Sequence, residues 1–150
     1  DCDGLRDEDD RAFGDLVVSE VKSGASGWIE LCNVTAGAIP VDGFVITWST
    51  GEYTLPGYTL DATSCLALCE RLTSECALKG SFAFGAGDES LVVTVDTLVL
   101  DSVTVEPSWT WGTWDVASLD GAQIDASLND SRSAWCDTHG SPGATNPACP

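Results

Sequence analysis

From residue 14 onward the chain runs as short β-branched segments broken by Gly, Asp, Asn and Pro, as in "GDLVVSEV" and "GWIELCN". That pattern belongs to an all-β sandwich or barrel. Strands are predicted over 15–21, 27–33, 42–49, 52–55, 65–69, 90–95 and 98–105, with weaker ones near 82–84 and 115–119. Only 61–80 leaves room for a helical turn. No segment repeats at a fixed period, which excludes solenoids and propellers.

Two predicted strands carry an acid inside an apolar run. In 27–33 a period of two places Trp28, Glu30 and Cys32 on one face and Ile29 with Leu31 on the other. Both faces look covered, so this reads as a central strand, with Ile29 and Leu31 towards the core and a loop or cross-strand neighbours shielding the rest. In 15–21, Leu16, Val18 and Glu20 alternate with Val17, Ser19 and Val21. If the two strands form a hairpin across "KSGAS", Glu20 and Glu30 come close together. Two such carboxylates can split their pKa values and serve as an acid/base pair. The favoured reading is structural: acids that accept backbone or Trp N–H bonds, or help to hold an ion.

Seven cysteines in 150 residues point to an oxidising compartment. Cys65, Cys69 and Cys76 contain no C-x-x-C, and the one histidine, His139, lies far along the chain, so zinc is poorly supported. Disulfides are expected instead: Cys136 with Cys149, and two of the 65–76 cysteines with each other, Cys65 and Cys76 being the pair favoured. Cys32 is an alternative partner for one of them. An odd count leaves one cysteine over.

The formal charge of −18 comes from 24 acids against six Lys and Arg. Such a field repels phosphate backbones and anionic lipid heads, so nucleic acid and membrane surfaces are poor partners. No apolar run reaches the length of a membrane span and no signal segment opens the chain, which therefore reads as exported and trimmed.

Six of the 24 acids sit in the head, "DCDGLRDEDD". On the twelve-residue calcium loop, Asp1 falls at position three, Asp3 at five, Leu5 at the carbonyl position, Asp7 at nine and Asp10 at twelve. A hard cation needs six to eight oxygens, and a tight turn at Gly4 would point several carboxylates inward. The head also resembles the aspartate-rich calcium repeats of thrombospondin type. Calcium is thus the expected cofactor, against the plainer reading of a solvated acidic linker. "SWTWGTW" supplies Trp109, Trp111 and Trp114 at spacings suited to stacking sugars, though core or interface packing is the commoner use. "NVT" at 33 and "NDS" at 129 match the N-glycosylation acceptor. A Ser-His-Asp triad would have to use His139 in a Gly- and Pro-rich tail, and no nucleophile elbow precedes it. No enzymatic activity is expected. The tail itself, "SPGATNPACP", reads as an extended strap tied down by Cys149.

Taken in order, "DLVVSEV", "GWIELCNVT", "VDGFVIT", "YTLPGYTL", "FGAGDESLVV", "VLDSVTV" and "SPGATNP" resemble the bacterial lamin-tail domain across residues 14–147. The resemblance implies an immunoglobulin-like β-sandwich, in a fold not known for catalysis; with the cysteines and the acidic head, the chain divides into a head at 1–13 and a disulfide-stapled sandwich at 14–150. The resemblance also implies an accessory module of exported bacterial proteins. With a spare cysteine, aromatics and a charged head that would all serve assembly, the expected role is a secreted structural or adhesion module at a bacterial surface that self-assembles, its partners being other copies of itself, surface proteins or glycans. The alternative is a calcium-dependent carbohydrate-binding or accessory domain of a larger exported hydrolase.

Overall fold

In a computed structural model of the chain, the described residues are 11–22, 27–70, 76–80, 89–105, 116–137 and 139–149. The acidic head at 1–10, with its proposed ligands Asp1, Asp3, Leu5, Asp7 and Asp10, lies outside them. So do the 82–84 segment and Trp109, Trp111 and Trp114.

Twelve strands are described: β1 (Leu16–Lys22), β2 (Trp28–Asn33), β3 (Ile39–Pro40), β4 (Val45–Trp48), β5 (Gly51–Thr54), β6 (Thr59–Leu60), β7 (Cys65–Cys69), β8 (Leu78–Lys79), β9 (Glu89–Val95), β10 (Leu98–Val105), β11 (Val116–Leu119) and β12 (Trp135–Asp137). They form a six-stranded sheet in the order β12-β11-β1-β2-β7-β8, a four-stranded sheet β10-β9-β4-β5 and a two-stranded β3-β6 ribbon. The pairings are antiparallel except β7 with β8. The one helical turn among the described residues, Arg132–Ala134, lies outside 61–80, where β7 and β8 stand instead.

The two larger sheets share one core. Ala117, Val21, Ile29 and Leu68 make one transverse row of the six-stranded sheet, and Val18, Leu31 and Leu66 make the next. Ile46, Leu91, Val93, Leu100 and Val103 face them from the four-stranded sheet, with Phe44, Leu55 and Leu60 closing the side. Each fully buried Leu, Ile or Phe contributes about 1.5–3 kcal/mol by leaving water. Short elements such as β3, β6, β8 and β12 escape prediction because two or three residues display no period. The predicted strand at 42–49 shortens to Val45–Trp48 because the Asp42–Gly43 turn, with Gly43 at φ +76°, precedes it.

A bulge corrects the alternation expected for the first strand. The β1–β2 register shifts between Val18 and Glu20, so Val18 pairs with Leu31 while Glu20 pairs with Glu30. The extra residue, Ser19, turns Val18 inward and Glu20 outward instead of leaving both on one face. A second bulge at Leu100 lies between Val99 and Asp101 of β10.

Three disulfides join Cys32 to Cys65, Cys69 to Cys76 and Cys136 to Cys149. The favoured Cys65–Cys76 pair is therefore corrected. Cys65 stands directly opposite Cys32 across β2 and β7, and Cys76 closes on Cys69 instead. The seventh cysteine, Cys2, lies outside the described residues.

Candidate functional site

The outer face of the six-stranded sheet carries the most unusual chemistry of the fold. Cys136, Ser118, Glu20, Glu30 and Ala67 are successive partners across β12, β11, β1, β2 and β7. The hairpin thus sets the two glutamates directly opposite each other, where Cβ atoms lie about 4.5–5.5 Å apart. Both are 0 % exposed. Ala67, small and apolar, leaves room on one side, and the Cys32–Cys65 bridge occupies the next row.

The cover is the C-terminal segment 139–147. The Cys136–Cys149 bond anchors it at both ends, turning the tail into a closed loop over the sheet. Its contacts with the acids run through backbone N–H groups and the Ser141 hydroxyl. Ser141 N–H donates to Glu20 Oε1 and Oε2 at 2.9 and 3.0 Å, with the Ser141 Oγ 2.8 Å from Oε1. Gly143 N–H donates to Glu30 Oε2 at 2.6 Å. Farther along, Asn146 Nδ2 donates to the carbonyls of Ser19 and Leu119 at 2.9 and 3.0 Å, and Gly121 N–H donates to Pro147 O at 3.2 Å. Backbone N–H groups reach the acids because Gly140 and Gly143 take φ values of +76° and +78°, which bend the chain over the sheet. A side chain at Gly140 would run into the Trp28 ring.

The sheet supplies the remaining donors. Glu20 accepts from Ser118 Oγ at 2.8 Å and from Trp28 Nε1 at 3.2 Å. Glu30 accepts from Ser19 Oγ at 2.7 Å. Ser19 Oγ also lies 3.1 Å from the Cys32 sulfur, which is bonded to Cys65 and has no proton to give. Burial, with the neighbouring Glu20 carboxylate adding to it, pushes the Glu30 pKa up to about 8 against the pull of these donors.

A second buried acid sits between the sheets. Asp101 Oδ2 accepts Val18 N–H and Asn129 Nδ2, each at 2.7 Å, and Oδ1 accepts Ser102 N–H at 2.8 Å. Burial, with Asp130 nearby, raises its pKa to about 6. Sequence reasoning passed over Asp101, although an acid inside "LVLDSVTV" is the same signal that singled out Glu20 and Glu30.

His139 lies on the strap, at the edge of a shallow depression of about 350 Å³ lined by Trp28, Gly140, Ser141, Pro142 and Ala144. The glutamates lie beneath the strap and do not line it. The Lys22 ammonium lies 4.7 Å from the centroid of the partly buried Trp28 ring, and Gly140 packs close to its six-membered ring. Both glycosylation triplets are occupied by structure. Asn33, 1 % exposed, donates through Nδ2 to the carbonyls of Gly37, Leu60 and Asp61, and Asn129 is fully buried.

Among the described residues one trio has the composition of a metal site: Glu30, Cys32 and Cys65, with ligand atoms within 4.8 Å of one another. The two sulfurs are bonded to each other, which removes the thiolates a soft metal would need. The arrangement holds a strap and satisfies buried acids. No family model, curated protein or solved structure matches the chain.

Proposed function

We propose that this chain is a secreted, non-catalytic structural or adhesion module of a bacterial surface, an immunoglobulin-like sandwich of lamin-tail type that assembles with copies of itself. The observation that carries this reading is the state of the buried acids. Glu20, Glu30 and Asp101 are each taken up by internal donors, and the acid pair lies under a disulfide-closed cover. Catalysis by these groups needs a lone pair or proton open to a substrate within hydrogen-bond reach. Their arrangement favours holding a shape.

Three disulfides in a chain of this size fit an extracellular setting, where a bridge stabilises by restricting the unfolded chain. Among the described residues no helix is long and apolar enough to cross a membrane. The strongly acidic composition of the chain makes a cation such as calcium, or a basic partner surface, the natural means of bringing copies together.

The test is association of the native chain, followed by size-exclusion chromatography and electron microscopy with calcium and with a chelator. Assembly that the chelator reverses supports both the module and its calcium-dependent contacts. A chain that stays monomeric in both conditions but binds a glycan array supports the carbohydrate-binding alternative. Turnover in a broad hydrolase screen would overturn the non-catalytic reading.

A further inference from the structure

We propose that residues 139–144 are a pH-operated latch, seated on the Glu20–Glu30 pair while that pair holds one proton and lifting from it when the proton is lost. The geometry comes first. Two fully buried carboxylates stand directly opposite each other on adjacent strands, and the strap closes over them through Ser141 and Gly143. Like charges so placed repel strongly when water is excluded, and one retained proton removes the repulsion.

Among the described residues, the charge that bears on Glu30 is the like charge of Glu20. From β1 come Glu20 itself and Lys22, whose ammonium sits over the Trp28 ring. From β2 comes Glu30. The residues of β7 on this face are Cys65, Ala67 and Cys69, with Glu70 just past the strand. β11 presents Ser118, and β12 presents Cys136 with Asp137 beside it. The strap contributes His139.

Glu30 is the group that keeps the proton. Four donors converge on Glu20: the Ser118 and Ser141 hydroxyls, Ser141 N–H and Trp28 Nε1. Glu30 has the Ser19 hydroxyl and the Gly143 amide. A neutral Glu30 can donate to Ser19 Oγ while that hydroxyl turns its own proton to the Cys32 sulfur, so the network is complete with the proton present. Its pKa of about 8 agrees with that arrangement.

The strap is built to open in part. Its contacts at Ser141 and Gly143 end on the two carboxylates, whereas those at Asn146 and Pro147 end on neutral backbone groups and do not change with ionisation. The Cys136–Cys149 bond keeps the loop attached while its first half lifts. With the strap raised, water reaches Glu30 and its pKa falls back towards the ordinary carboxylate range. The closed form then binds the proton more tightly than the open one, so raising the pH favours opening by up to tenfold per pH unit until closed-state Glu30 is ionised near pH 8.

Amide hydrogen exchange of the intact, oxidised chain between pH 5.5 and 9, corrected for intrinsic base catalysis, reads this directly. Expected is an excess rise in exchange at Ser141 and Gly143 that levels off near pH 8, with both amides staying far less protected than Ile29, whose exchange needs global unfolding and follows only the pH dependence of overall stability. Glu30→Gln imitates the protonated acid and removes the rise, while His139→Gln retains it. Carbon-detected titration of Glu30 in the unmutated chain provides a reading that no folding defect can obscure: its ionisation tracks strap exchange. The proposal is overturned if Glu30 is already ionised at pH 6, if the rise survives in Glu30→Gln, or if it disappears in His139→Gln.

Discussion

The carboxylate of Asp101 on β10 accepts the backbone N–H of Val18 on β1 at 2.7 Å, so a side chain of one sheet completes the main-chain hydrogen bonding of the other. β11 pairs with β1 only from Glu20 to Lys22, leaving Val18 beyond its reach. Asn129 completes the substitution, with Nδ2 3.4 Å from Val18 O and 2.7 Å from Asp101 Oδ2. A buried N–H must be paired, and here an acid does the work of a missing strand.

Asp101→Ala strips the acceptor from Val18, Ser102 and Asn129 together. Stranding buried donors of this kind costs about 3 kcal/mol. Urea unfolding measures it, and Asp101→Asn, which retains one acceptor oxygen, loses less.

Stability depends on pH through both buried acids. Their folded-state pKa values lie above the ordinary ones: about 8 against 4.5 for Glu30, and about 6 against 3.8 for Asp101. The folded state therefore holds protons that the unfolded chain has released. The contribution is fully present below the ordinary values and is lost as pH rises, from 4.5 to about 8 for Glu30 and from 3.8 to about 6 for Asp101. Between pH 6 and 8 Glu30→Gln should flatten the slope of unfolding free energy against pH. An unchanged slope in that variant would place the titration elsewhere.

Gly140→Ala places a methyl group against the Trp28 ring at a φ of +76°. A non-glycine residue in the left-handed region costs about 1–3 kcal/mol, and the collision adds to it. Thermal unfolding should show that loss, and Trp28 emission should shift as the strap moves from the ring.

The disulfides should rank by the loops they close. Replacing both cysteines by Ala should cost about 4 kcal/mol at Cys32–Cys65, about 3 at Cys136–Cys149 and about 2.5 at Cys69–Cys76, for sequence separations of 33, 13 and 7. Denaturant unfolding of the three double variants checks the order.

Local pattern carried much of this molecule. Alternation in "GWIELCN" assigned Ile29 and Leu31 to the core and Glu30 and Cys32 to a covered outer face, because side chains of a strand point to opposite sides whatever lies beyond it. The same alternation misplaced Val18 relative to Glu20, because a bulge is one residue of register and leaves no mark in a run of β-branched residues. Cys136 and Cys149 were legible as neighbours along the chain. The bond from Cys32 to Cys65 needed the β2–β7 register.

What the sequence by itself determined is the class of fold and the presence of bridges, though not which of Cys32, Cys65, Cys69 and Cys76 pair: alternating β-branched runs permit little but sheets, and an abundance of cysteines calls for disulfides. Tertiary structure alone decided which groups became chemistry. Glu20, Glu30, Ser118, Ser141 and Gly143 are spread over more than a hundred residues, and Asp101 meets Val18 from another sheet. A carboxylate's burial and its donors are properties of the space around it, which no local stretch of chain encodes.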